Sequence, residues 1–143
     1  MKAKLIPLTI VLFFYSASSL GADGPVSECL ERYSNADVGP CLEDAVEAAD
    51  LRLKHATENL ALLLKRLDGR ELPKIRVVDK LKSAYDEWEE FRDKECAFTA
   101  SVTMWGGSGT ANAVVECVID LTDRRMAQIQ NLTRQINEAY LSQ

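Results

Sequence analysis

From Pro40 onward, apolar residues return at alternating intervals of four and three: Leu42, Val46, Ala49, Leu53, Ala56, Leu60, Leu63 and Leu67. That spacing holds one stripe on one side of an α-helix and predicts a helix about seven turns long, buried along the stripe. Pro40 suits the first helical turn, where its missing N–H costs nothing, and Gly69 suits the position just past the end. After a short connection from Gly69 to Pro73, a second stripe follows in Val77, Leu81, Ala84, Trp88, Phe91 and Phe98, with Glu95 as its one polar break. A third helix is predicted from Ser108 or Thr110 almost to the C-terminus. Its stripe reads Val118, Thr122, Arg125, Ile129, Leu132, Ile136 and Ala139, with Leu121 beside it. Strand alternation is nearly absent. Short links between long helices favour antiparallel neighbours, so the expected fold is all-α: an antiparallel bundle of three long helices. A short segment from Pro25 to Gly39 precedes it, with one brief helix around Cys29.

Thr122 and Arg125 interrupt the third stripe where a bundle ordinarily places apolar side chains. A guanidinium turned inward needs a carboxylate or carbonyl partner, because burying it unpaired is very costly. Asp93 on the second helix, in Trp88-x-x-x-Arg92-Asp93-x-x-Cys96, is the expected partner of Arg125. The pair would fix helix register near Cys96; direct contact with a ligand is the alternative.

The connector between the second and third helices, Ser101 to Thr110, is longer than most helix–helix links, and long ordered loops are often functional. Met104 and Trp105 are large apolar residues within it, and Gly106, Gly107 and Ser108 follow. Two readings stand side by side. Trp105 anchors a partner-binding loop, or it folds back as a lid over the end of the bundle. A phosphate loop is a poor fit, since the glycines follow a helix instead of a strand and no lysine comes after them.

The N-terminus differs from everything after it. Lys2 and Lys4 precede an apolar run from Leu5 to Tyr15, and Ser16 to Ala22 supplies small residues for cleavage. This is the layout of an export signal over 1–22, too short and poorly flanked for a membrane span, leaving 23–143 as a single soluble domain with no lipid anchor. Downstream stand Cys29, Cys41, Cys96 and Cys117. An even number of cysteines in an exported chain reads as two disulfides, with three pairings open. A zinc site is poorly supported, because no pair has CxxC spacing and His55 is the sole histidine. No cofactor is expected. Loss of Lys2 and Lys4, with no acid removed, takes the formal charge from -5 to about -7. Such a surface repels nucleic acid and anionic membranes and is compatible with a cationic protein partner. Solubility alone would also account for it.

Several of these residues together resemble a known family. Trp88, Phe91-Arg92-Asp93 and Cys96, the glycine-rich Gly106-Gly107-Ser108, and Cys117 followed by Leu121-Thr122 and Arg125 are similar to the signature of the LprI-like lysozyme inhibitor N-terminal domain family. Upstream, Cys29 and Cys41, then Asp50 and Leu53, match its first cysteine pair and the start of its long helix. The resemblance covers nearly the whole chain after the signal. It implies a small exported helical protein of the periplasm or the secreted fraction, with Cys29 joined to Cys41 and Cys96 to Cys117. It further implies a protein partner, a basic lysozyme, and inhibition of lysozyme-type muramidases. A different envelope-interaction or stress role fits the same features. An enzyme does not: no nucleophile–base pair or metal-ligand cluster is visible, and His55 has no catalytic companion.

Overall fold

The computed structural model describes residues 24–34, 37–68, 76–104 and 109–140, with backbone alone at Asp68 and Met104. All regular structure within them is helical: α1 (Pro25–Arg32), α2 (Val38–Asp68), α3 (Val77–Met104) and α4 (Thr110–Tyr140). At 1.5 Å per residue, the 31 residues of α2 and of α4 each span about 46 Å. Pro40 is the third residue of α2, where no preceding carbonyl awaits its N–H. The expected leader over 1–22 and the connection over 69–75 lie outside the described residues.

The three long helices run up, down, up. Residues of early α2 pack with Val115 and Ile119 of early α4, and late α2 packs with Ile129 and Ile136. Helix α3 runs the other way, with Val77, Val78 and Leu81 beside late α2 and late α4. Helix α4 packs along both α2 and α3, whereas α2 and α3 meet over a shorter contact. Helix α1 lies across the start of α2 and touches α4. Its Val26 and Cys29 are buried. Two disulfides staple the elements, Cys29–Cys41 joining α1 to α2 and Cys96–Cys117 joining α3 to α4, at Cα separations of 5.7 and 5.5 Å. This is the pairing that the family resemblance implies.

The first stripe behaves as its spacing predicts. Leu42, Ala49, Leu53, Leu60, Leu63 and Leu67 are all buried. The second does so only in part. Val77, Leu81 and Trp88 pack against the core as expected, but Ala84 is exposed, Phe91 and Phe98 keep 55 and 62 % of their surface exposed, and Val78, Tyr85, Arg92, Cys96 and Ala100 turn inward in their place. Cys96 faces α4 because it is bonded to Cys117, and helical geometry turns residues four earlier the same way, which brings Arg92 inward and swings Phe91 out. Helix α4 departs from its expected stripe more gently. Thr122 and Ile129 face inward as expected, but Met126 packs in the core where Arg125 was expected, and Leu132 is largely exposed.

Candidate functional site

Among the described residues, the buried charge is Arg92, only 5 % exposed. Its Nη1 donates to the Asp50 carboxylate of α2 at 2.5 Å and to Oγ1 of Thr122 of α4 at 2.9 Å. Its Nε and Nη2 both reach Oδ1 of Asp93 on its own helix at 3.0 Å. The guanidinium carbon also sits 5.3 Å from the centre of the Trp88 ring, within cation–π range. One side chain thereby ties all three long helices together at a single height.

That height is informative. Ala49 and Ile119 belong to one apolar cluster, Leu53 and Met126 to a second, and Asp50 and Thr122 lie between them in sequence. The core is thus two apolar segments divided by a polar layer. Burial alone would lower the Arg92 pKa, but the bonds to Asp50 and Asp93 outweigh it and hold the group above its ordinary value. The guanidinium stays charged at every pH the protein meets.

The expected Asp93–Arg125 ion pair does not form: Asp93 is taken by Arg92. Arg125 lies partly exposed one residue before the inward Met126, 6.0 Å from the Trp88 ring centre, with a long bond to Gln128. The physical requirement was sound, since a buried guanidinium does hold the helix register, but it belongs to Arg92.

Beside the polar layer, and reaching past it on both sides, the shorter α2–α3 contact leaves a groove of about 640 Å³. Its floor is apolar, formed by Leu42, Val46 and Leu51 of α2 and Val115 of α4. Its rim carries Glu43, Glu47, Asp50 and Glu89 against a single cation, Lys54. Asp50 is held by Arg92, and Glu89 receives the Tyr85 hydroxyl. Burial, that bond and the charges of Glu89 and Asp50 push the Tyr85 phenol up to about 12. Glu43 and Glu47, one helical turn apart, have no bonded partner among the described residues. No group of three or more metal-ligating side chains converges among the described residues. No described helix is long and apolar enough to cross a membrane. The expected binding loop at Met104, Trp105, Gly106, Gly107 and Ser108 lies outside the described residues, apart from the Met104 backbone that closes α3.

A family model described as lysozyme inhibitor LprI matches residues 29–129. The chain belongs to the LprI family. No curated protein and no solved structure matches it. Read on the structure, most of the residues that carry the LprI resemblance are structural. The four cysteines are the staples, and Arg92, Asp93, Thr122 and Asp50 build the polar layer. These residues of the LprI resemblance therefore build the bundle. The sequence held a signal for Arg92 that the stripe obscured: Trp88, Arg92 and Cys96 recur every fourth residue, so the direction of Cys96 settles that of Arg92. No comparable signal marked the groove, since Glu43 and Glu47 look like any solvated helix surface.

Proposed function

We propose that the protein is an exported binding protein, periplasmic or secreted, that inhibits lysozyme-type muramidases by direct contact. The observation that carries this reading is the LprI match over 29–129, which reaches from the first disulfide to the buried Ile129 of α4. The acidic balance of the chain supports a basic partner, because opposite charge steers encounter and suppresses wrong partners. In this reading residues 1–22 are a removable export signal and 23–143 are the working domain. The inhibitor does no chemistry on its target. We propose the connector from Thr103 to Thr110 as the centre of that contact, with Trp105 as its anchor.

A lysis assay tests the proposal: purified mature protein added to a basic lysozyme acting on cell walls. Inhibition that completes near one inhibitor per enzyme is expected. An unchanged rate at large excess would dismiss lysozyme as the target and leave another envelope partner.

A further inference from the structure

We propose that the groove between α2 and α3 receives a lysine or arginine side chain of the basic protein partner, with Glu43 and Glu47 as its charge acceptors. This rests on the inhibitor reading for the identity of the partner and on the structure alone for the chemistry of the occupant.

Glu43 and Glu47 are four residues apart on one helix, an arrangement of like charges that disfavours the helix. No described residue is bonded to either carboxylate. Their neighbours Asp50 and Glu89 are both bonded, to Arg92 and Tyr85 respectively, whereas these two carboxylates are not. The nearby cation, Lys54, is seven residues beyond Glu47 and so about two turns further down α2. Among the described residues, the upper end of the groove carries negative charge with no counterion beside it.

Beneath those carboxylates the floor is apolar, and Leu51 keeps 46 % of its surface exposed. An isolated metal ion or small inorganic cation has no use for such a floor. A lysine or arginine side chain does, since its aliphatic stem covers apolar surface while its head reaches the acids. The volume, about 640 Å³, is ample for one such side chain. Charge and shape together select a cationic side chain carried on a protein.

The experiment compares wild type, Glu43→Lys/Glu47→Lys, and the charge-matched control Glu31→Lys/Glu95→Lys, all confirmed folded by circular dichroism. Each is titrated with a basic lysozyme and, separately, with triarginine amide while amide chemical shifts are followed. For lysozyme, the groove variant is expected to bind about tenfold or more weakly than the control. For triarginine amide, shifts should cluster at Gly39, Val46, Leu51 and Val115 and vanish in the groove variant. If wild type binds lysozyme and the groove variant binds equally well, the groove assignment is overturned and the inhibitor reading stands. If wild type ignores lysozyme, the inhibitor reading falls, and the triarginine titration decides the groove alone. Shifts scattered over the acidic surface, or unchanged by the substitutions, would overturn it.

Discussion

At the scale of single residues, the account turns on Arg92 and the unequal exposure of its partners. Asp50 keeps 35 % of its side-chain surface and Asp93 65 %, so the two carboxylates rehydrate to different degrees when the cation is lost. Arg92→Met removes the buried charge outright, and its cost should stay near 1–2 kcal/mol. Asp50→Ala strands a buried guanidinium and should cost more, about 2–3 kcal/mol. Asp93→Ala should cost under about 1 kcal/mol, and Arg125→Met about 0.5 kcal/mol. Urea unfolding of the four variants checks the ranking; a larger loss for Arg125→Met than for Asp50→Ala would refute it. Tyr85 supplies a pH test. Its folded pKa of about 12 lies above the ordinary 10.0, so the fold favours the neutral phenol. That stabilisation is complete below pH 10 and is lost as pH rises through 12. Tyr85→Phe should flatten the alkaline fall in melting temperature across that window, and an unchanged fall would show that Tyr85 is not its source.

At the scale of helices, legibility followed chemistry. The α2 stripe was readable because each of its buried positions is apolar. The α3 stripe was misread because its inward side contains Arg92 and Tyr85, while Phe91 and Phe98 stand outside it. Hydrophobicity reported the wrong phase there; the disulfide reported the right one. Phe91→Ser/Phe98→Ser should therefore shift stability by no more than about 0.5 kcal/mol per site, whereas Leu60→Ala should cost about 2–5 kcal/mol. Thermal melts distinguish them, and a large loss in the Phe variant would return those rings to the core. The staples act on the same scale. Cys96–Cys117 closes 21 residues, and its removal as Cys96→Ala/Cys117→Ala should cost about 3 kcal/mol, mostly through the freer unfolded chain. Denaturant midpoints read this directly, and a loss below about 1 kcal/mol would contradict it.

At the scale of the whole molecule, we propose that recognition uses the groove beside the layer that holds the fold together. The cysteines and the Arg92 layer hold three helices in register, and the same packing leaves α2 and α3 far enough apart for an acidic groove with an apolar floor. The resemblance read from Trp88 to Arg125 was enough to place the family, because those residues build the fold. It did not mark the proposed groove, because Glu43 and Glu47 come together with residues of α3 and α4 only in the folded bundle. A basic partner held largely by charge should dissociate more readily as salt rises, with little change in the stability of the bundle itself. The most direct measurement is a calorimetric titration of a basic lysozyme with the mature protein at low and at high ionic strength. The account predicts saturable binding near one to one at low salt and a clearly weaker affinity at high salt. Absence of saturable binding at low salt, where the attraction is greatest, would contradict it.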